Sequence, residues 1–491
     1  MSGRTVAYVT SEITPFAKTG GLADVSAALP AHLHRAGHDV RVFAPLYSAI
    51  DVDAYDFEPL PGAADIPVRA DARTLVFSAY RTRLPGTEVP VHFIHCPVLF
   101  DRPGLYTNDP DEHLRFALLS RAALECCQRM QWGPEIFHCH DWQTALVPLY
   151  LKTLYAWDRL FRATRSVLTI HNLGYQGLFP STVLADLGLE SCKQYLQQET
   201  LKRGRIGFLE TGIVHADWLT TVSPTYAREI STESYGMGLH ELLAARQATL
   251  TGILNGVDTE VWNPLTDPHI PFRYSPKSLW RKEKNKEALL GELSLPYAKR
   301  VPMIGMISRL VAQKGIDLLE EPLPAILAKH DIRLVVLANG EARFERFFEE
   351  LVRRFPGKVH FHRGFRTELA HRIEAAADMF LMPSRYEPCG LNQMYSRIYG
   401  TVPIVRKTGG LADTVQLFDP KDGTGNGIVF EHPTPQGVRW AVESALELYG
   451  RPETWKQIVA NAMAGDLSWD AQAPRYVELY DRVRAKEHAG V

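Results

Sequence analysis

Cysteine is scarce in this chain of 491 residues: six, at Cys96, Cys126, Cys127, Cys139, Cys192 and Cys389. Their spacing is irregular and forms no C-x-x-C, which excludes a disulfide scaffold and implies reduced thiols in a cytoplasmic protein. Long apolar runs are missing too. Nowhere do 18 apolar residues follow one another, so no membrane span is expected. Neither sign of charge dominates, with 54 Lys+Arg against 56 Asp+Glu, which argues against a nucleic-acid binder held by bulk positive charge. The first residues carry no apolar core and cleavage site of a secretion signal, and none is expected. Several chemical signatures are also absent: the P-loop, the nucleophile elbow G-x-S-x-G and the kinase set. No G-x-G-x-x-G follows a first strand in either half, which disfavours a dinucleotide-dependent oxidoreductase.

What is present is ordinary globular material, 45% apolar and 22% charged, long enough for two to four domains. Thr5 to Val9 is a β-branched apolar run. After a loop with Pro15, Gly20 and Gly21, a helical stripe at Leu22, Val25, Leu29 and Leu33 leads to a second strand over Val40 to Phe43. Further short strands fall at Val91 to Ile94, Glu135 to His138 and Ser166 to Ile170, with helices near 112–130 and 142–154. The second half repeats the alternation, with strands at Val301 to Ile307, Arg333 to Leu337, Val359 to His362, Met379 to Met382 and Val402 to Val405. Alternating strands and helices imply parallel sheets with right-handed crossovers, an α/β chain of two doubly wound domains. The turn-rich stretch from Leu254 to Pro271 suits the boundary, giving domains over residues 1–254 and 255–466. One octapeptide occurs twice: Lys18-Thr19-Gly20-Gly21-Leu22-Ala23-Asp24-Val25 returns as Lys407-Thr408-Gly409-Gly410-Leu411-Ala412-Asp413-Thr414. Two similar sheets, each presenting a Gly-rich turn at a helix start, account for it better than a solenoid.

The motifs at strand ends carry the chemistry. Lys18 with Gly20 and Gly21 before a helix can cradle an anion through backbone N–H groups and an ammonium; it is also what a tight turn with a solvated lysine looks like. The second copy reads as a structural turn. Arg309 and Lys314 leave a strand's carboxyl end, where open α/β sheets bind ligands, and Arg can fork two phosphate oxygens; a solvated pair is the alternative. Glu387, in Glu387-Pro388-Cys389-Gly390-Leu391, can accept from ligand hydroxyls or simply favour a helix start. His171 and Asn172 follow another strand, though a lone histidine often satisfies a buried hydrogen bond. His138-Cys139-His140-Asp141-Trp142 lacks the partner cluster a zinc site needs, and Asp51-Val52-Asp53 reads as an exposed loop rather than a metal-binding pair.

In order along the chain, SEITPFAKTGGLADV, HCHDWQTALVP, HNLGYQG, TVSPTYAREI, GILNGVDTEVWNP, SRLVAQKGIDLL, ADMFLMPSRYEPCGLNQ and YGTVPIVRKTGGLADT closely resemble the bacterial glycogen synthases and plant starch synthases. The resemblance implies two Rossmann-like domains facing across a cleft, the glycosyltransferase-B fold, with residues 467–491 helical and packing back on the first domain. It implies a retaining transfer of glucose from ADP-glucose to the non-reducing end of an α-1,4-glucan, with no metal or other cofactor. Carried over residue by residue, Lys18, Gly20 and Gly21 hold the donor's phosphates from the first domain, and Arg309 and Lys314 neutralise the diphosphate from the second. Glu387 binds the glucosyl hydroxyls. His171 lines the reacting sugar near Asp141, Trp142, Asn172 and Asn255, and the Cys389-Gly390-Leu391 turn directs amides toward that sugar. Three places depart from the family pattern: Phe100 replaces a tyrosine, Glu210 a lysine, and Leu337-Ala338-Asn339-Gly340-Glu341 alters a loop near the nucleotide. A UDP-glucose donor, a short maltooligosaccharide acceptor, or a glucan-binding homologue without turnover are the alternatives these departures raise.

Overall fold

A computed structural model describes residues 3–485, and within it the chain separates into two α/β units. The first contains the residues up to Val222, Ala227–Gly256 and the segment from Trp469; the second contains Ser223–Tyr226 and Val257–Ser468. The division in the chain therefore falls after Gly256 and Ser468, two residues beyond each expected boundary. Ser223–Tyr226 goes with the second unit because the hydroxyls of Ser223 and Thr225 donate to the Asp413 carboxylate, at 2.5 Å each.

In the first unit the strands are β1 (Thr5–Val9), β2 (Asp39–Pro45), β3 (Glu58–Pro59), β4 (Ile66–Arg69), β5 (Thr74–Arg83), β6 (Pro90–His95), β7 (Ile136–His140), β8 (Arg165–Ile170), β9 (Leu178–Pro180), β10 (Arg205–Gly207), β11 (Trp218–Thr221) and β12 (Leu250–Gly252). The main sheet runs β12-β11-β8-β7-β1-β2-β6-β5-β3, with β4 on β5, while β9 and β10 form a separate antiparallel pair. It is parallel from β12 to β6 and antiparallel beyond, where β3, β4 and β5 add a meander. Those strands, two of them short and all partly polar, were not anticipated from periodicity. Parallel strands buried on both faces need continuous apolar runs, and Val6, Ala7, Tyr8 and Val9 are fully buried. Leu22, Val25, Leu29 and Leu33 of helix Gly21–Arg35 are buried on that sheet, as their spacing requires. Residues 142–154 do not form one helix. A short 3-10 turn, Trp142–Thr144, precedes helix Val147–Lys152, whose second residue is Pro148; proline is tolerated in the first turn of a helix and interrupts its interior.

Helix Trp469–Ala485 packs on helix Gly21–Arg35 within the first unit. Beyond residue 485 the expected helical continuation to residue 491 falls outside the described residues. Where the chain leaves and re-enters this unit, a Cβ on Gly256 would lie 2.5 Å from the backbone of Trp469, so only glycine allows the two crossing segments to touch.

The second unit's sheet is wholly parallel: β13 (Met303–Leu310), β14 (Arg333–Gly340), β15 (Val359–Arg363), β16 (Met379–Met382), β17 (Val402–Arg406) and β18 (Ile428–Phe430), in the order β15-β14-β13-β16-β17-β18. Its core joins the sheet's Ile304, Leu334, Val336 and Ile404 to Phe344, Phe348 and Ala441 of the covering helices. Both units reverse strand order beside their first strand. In the first the order turns between β1 and β7; in the second it turns between β13 and β16. Crevices at such reversals are where doubly wound sheets take ligands. No helix among the described residues is long and apolar enough to cross a membrane.

Candidate active site

The residues singled out from sequence lie at those two reversals. In the first unit Lys18 follows β1, Asp141 and Trp142 follow β7, and His171 and Asn172 follow β8. In the second, Arg309 ends β13 with Lys314 just after it, and Glu387 follows β16.

The Lys18 loop differs from the expected cradle. The Glu12 carboxylate, 3% exposed, accepts from the backbone N–H groups of Thr19 at 2.5 Å and Gly20 at 3.1 Å. Its other oxygen accepts from the Thr19 and Tyr106 hydroxyls, both at 2.6 Å. An internal anion therefore occupies two of the amides at the helix start, as a helix N-terminus favours. The Lys18 side chain is half exposed and reaches Asp24 at 2.6 Å. Gly20 is extended, and a Cβ there would meet nothing within 4 Å, so space stays open above it. The second copy of the octapeptide is packed shut. A Cβ on Gly409, at φ +44°, would lie 1.9 Å from the Glu387 carbonyl oxygen, and one on Gly410 would lie 2.1 Å from that of Cys389. The Gly410 N–H donates to the Glu387 and Pro388 carbonyls at 3.2 and 3.1 Å. These glycines are demanded by the loop that carries Glu387. Glu12 was missed in the sequence reading, although an acid six residues ahead of Lys18 and shortly before a Gly-Gly helix start is its signal.

Asp141 sits at φ +56° and ψ −170°, a strained conformation almost confined to glycine and held here by the surrounding fold. This turn aims its Oδ1 at the backbone N–H of His171, 2.7 Å away, and of Asn172 at 3.3 Å. Burial nevertheless dominates and pushes its carboxyl up to about 7. His171 Nε2 is bonded to His140 Nδ1 at 2.9 Å. His138 bridges the Tyr480 hydroxyl at 2.8 Å and the Thr169 hydroxyl at 2.7 Å. Both strand histidines are thus committed to hydrogen bonds inside the fold. Burial depresses His138 and His171 to about 3 and His140 well below its usual value, so all three imidazoles are neutral near pH 7.

Trp142 is 8% exposed; its ring lies among Phe116, Phe179 and Phe208, with centroids 4.9 to 6.1 Å apart. A Cβ on Gly177 would strike that ring at 2.4 Å. Most of the indole is therefore wall material. The Asn172 Oδ1 accepts from the Gly174 N–H at 3.0 Å, closing the turn after His171. Asn255 is buried, and its Oδ1 has no partner among the described residues.

In the second unit Lys314 Nζ contacts Glu387 Oε2 at 2.6 Å, with side chains 19% and 7% exposed. The Ser384 hydroxyl donates to the same oxygen at 2.9 Å. Gly315, at φ +68°, lets this loop approach: a Cβ would lie 2.1 Å from the Pro383 carbonyl oxygen. Arg309 is exposed, and among the described residues its guanidinium has no hydrogen-bond or ion-pair partner. Gly390, at φ +72°, turns the chain after Cys389, and the Gln393 amide pins the carbonyls of Cys389 and Gly390 at 3.0 Å each. Leu391 is partly buried at the start of helix Asn392–Ile398.

The three departures take clear places. Phe100 is fully buried against Tyr47. Glu210 is half-buried, accepts from the Thr200 hydroxyl at 2.8 Å, and is pushed up by burial. Asn339 is exposed opposite Arg309 in the β13–β14 register. An open groove of about 690 Å³ beside Trp440, Leu417 and Phe430, at the ends of β17 and β18, is lined by Lys407 and Ala412 of the second octapeptide but by none of the candidate site residues. Asp51 caps the exposed 3-10 turn Val52–Ala54, its carboxylate accepting from the Asp53 N–H. Among the described residues, no group of three or more His, Cys, Asp or Glu side chains could hold a metal ion.

Residues 5–245 match the family model described as "Starch synthase catalytic domain", and residues 294–462 match "Glycosyl transferases group 1". The "Glycogen synthase" of Geotalea daltonii is 42% identical over 98% of this chain and 99% of its own length. "Glycogen synthase 1" of Methylococcus capsulatus is 44% identical over 99% of this chain and 98% of its own. Among solved structures, the catalytic domain of Starch Synthase IV from Arabidopsis thaliana, bound to ADP and acarbose, superposes with a TM-score of 0.91 at 36% identity. That likeness covers 99% of this chain and 100% of the other.

Proposed function

This chain belongs to the glycogen and starch synthase family of glycosyltransferases, with the glycosyltransferase-B fold, and on that premise we propose that it uses ADP-glucose to extend an α-1,4-glucan with retention of configuration. Its reaction is glucosyl transfer in glycogen synthesis. The observation that carries the donor assignment is the pair of cations at the β13–β16 reversal. Arg309 is exposed and has no side-chain partner among the described residues, while Lys314 is held against Glu387 at 2.6 Å.

The chemistry asks for that arrangement. Breaking the bond from the anomeric carbon to the phosphate builds positive charge on the sugar and negative charge on the departing diphosphate. Cations placed where the negative charge grows stabilise the transition state more than the bound donor. Arg309 forks the diphosphate oxygens, and Lys314 adds a point charge. Glu387 accepts from the glucosyl hydroxyls while its other contacts keep it in place. The acceptor's hydroxyl oxygen forms the new bond on the face the phosphate leaves, and its proton passes to that phosphate.

On the first unit, His171 and Asn255 are assigned to the sugar, Lys18 to phosphate, and Asp141 to holding the His171-Asn172 turn. Trp142 contributes the exposed margin of its ring. Positive charge comes from side chains, so the reading assigns no metal or other cofactor. The ADP bound to the Arabidopsis relative supports the adenine nucleotide. Six free, buried cysteines support the cytoplasm as its compartment.

The test is nucleotide release from ADP-glucose and UDP-glucose, side by side, with glycogen as acceptor. ADP-glucose should be the faster donor, and Arg309→Ala should lower kcat/KM by about 10² to 10³. Faster turnover of UDP-glucose would overturn the donor assignment. Glycogen binding in a native gel with no nucleotide released from either would overturn transfer itself.

A further inference from the structure

His140 precedes Asp141 in the strand-end motif and has no role so far. Its ring is 1% exposed. It is stacked on Tyr8 with centroids 4.0 Å apart and lies 4.2 Å from the ring of His138. Its peptide is fixed twice by Thr144, whose hydroxyl accepts the His140 N–H at 2.6 Å and donates to the His140 carbonyl at 2.9 Å. The neighbouring His138 is pinned through Thr169, which is itself bonded to Thr220 at 2.5 Å. The imidazole of His140 is thus confined between neighbouring rings on a fixed backbone. Among the described residues its one side-chain bond is Nδ1 to His171 Nε2, at 2.9 Å, and its buried Nε2 has no partner.

A bond between two neutral imidazoles carries one proton, so the two tautomers are coupled. If His140 is protonated on Nε2, His171 must donate, and a buried N–H on His140 is left unpaired. If His140 is protonated on Nδ1, it donates to His171, and only a bare lone pair is left unpaired. Orphaned buried N–H groups are rarer and costlier than under-used acceptors. The second arrangement is favoured. It leaves the proton of His171 on Nδ1, the nitrogen with no partner among the described residues, on a side chain that is partly exposed.

We propose that His140 is a positioning residue that sets the tautomer of His171, so that His171 offers the reacting sugar an N–H donor through Nδ1. The proposal rests on the placement of His171 at the sugar given above. A fixed donor suits a ligand atom that can only accept, such as a phosphate oxygen, or a hydroxyl oxygen whose own proton is engaged elsewhere. Asp141 serves the same end from the backbone side, because its Oδ1 holds the His171 N–H.

Nitrogen-15 NMR of histidine-labelled enzyme reads the tautomer directly, with His171→Asn identifying the signals. In the wild type, His171 Nδ1 should be protonated and Nε2 bare. His140→Asn, whose amide N–H can stand where Nδ1–H stood, should keep that pattern and keep kcat within about threefold. His140→Leu should mix the tautomers and lower kcat by about tenfold or more, with the donor KM nearly unchanged. A wild-type His171 protonated on Nε2, or a folded His140→Leu enzyme with wild-type kcat, would overturn the proposal. Should His140→Leu fail to fold, the wild-type spectrum decides alone. Because the spectrum needs no turnover, the expected tautomer in a protein inactive on every donor would support the coupling and count only against the function.

Discussion

Replacing Lys314 by methionine removes a charge while keeping most of the stem, and the surroundings give the consequence in two parts. Lys314 and Glu387 are 2.6 Å apart with side chains 19% and 7% exposed. Stripping the partner from a buried carboxylate typically costs about 3–5 kcal/mol; Lys314 is partly wetted and Ser384 still donates to Glu387, so about 2 kcal/mol is the expected loss here. In a unit of about 200 residues that is a fall in Tm of about 4–8 °C. Turnover should fall independently by about 10² to 10³, the usual effect of deleting one preorganised charge. Adding Glu387→Gln separates the two effects. The double variant no longer buries a lone charge and should recover most of the Tm, yet its kcat should stay at or below that of Lys314→Met. Thermal unfolding without ligand and nucleotide release with glycogen measure both. An unchanged Tm in Lys314→Met would refute the buried-pair energetics, and recovery of kcat in the double variant would refute the role of Lys314 as a diphosphate cation.

Three further perturbations test other parts of the structure. Gly409→Ala forces a Cβ to within 1.9 Å of the Glu387 carbonyl oxygen and should lower both Tm and turnover, whereas Gly20→Ala should leave Tm unchanged; equal effects on Tm would contradict the distinction between the two octapeptides. Asp141 has its carboxyl raised from 3.8 to about 7 by burial, so the folded state holds a proton that the unfolded state gives up near pH 4, and this group's contribution to stability is lost as pH rises from about 4 through 7. Asp141→Asn should then gain on the wild type by up to about 4 kcal/mol at pH 8 and gain nothing near pH 4, and unfolding midpoints at the two pH values check it. Excess EDTA should leave glucosyl transfer unchanged if side chains alone carry the positive charge; a loss of turnover restored by a divalent cation would show a metal in the reaction.

Much of the architecture is readable one segment at a time. The stripe at Leu22, Val25, Leu29 and Leu33, the apolar runs at Val6 to Val9 and Met379 to Met382, and the cations leaving β13 all follow from periods and turns only a few residues long. The meander of β3, β4 and β5 escaped that reading because β3 and β4 are short and the ten-residue β5 alternates exposed and buried positions with polar residues among both. The expected helix over 142–154 failed because Pro148 restricts where a helical turn can begin. In the site, residue types at strand ends marked Lys18, Asp141, His171, Arg309, Lys314 and Glu387, since each lies next to its own local signal.

By itself the sequence determined the alternation of elements, the repeated glycine turn and the family to which the chain belongs. These depend on side-chain period, on which residues tolerate tight turns, and on runs of identities in one order. Only the tertiary structure decided which groups meet. Tyr106 reaches Glu12 across 94 residues, His140 pairs with His171 across 31, and one glycine pair is open while its twin is packed against Glu387. Such pairings arise when the sheet order brings distant strand ends together and burial removes water as an alternative partner, and neither condition is written in any local stretch of the chain.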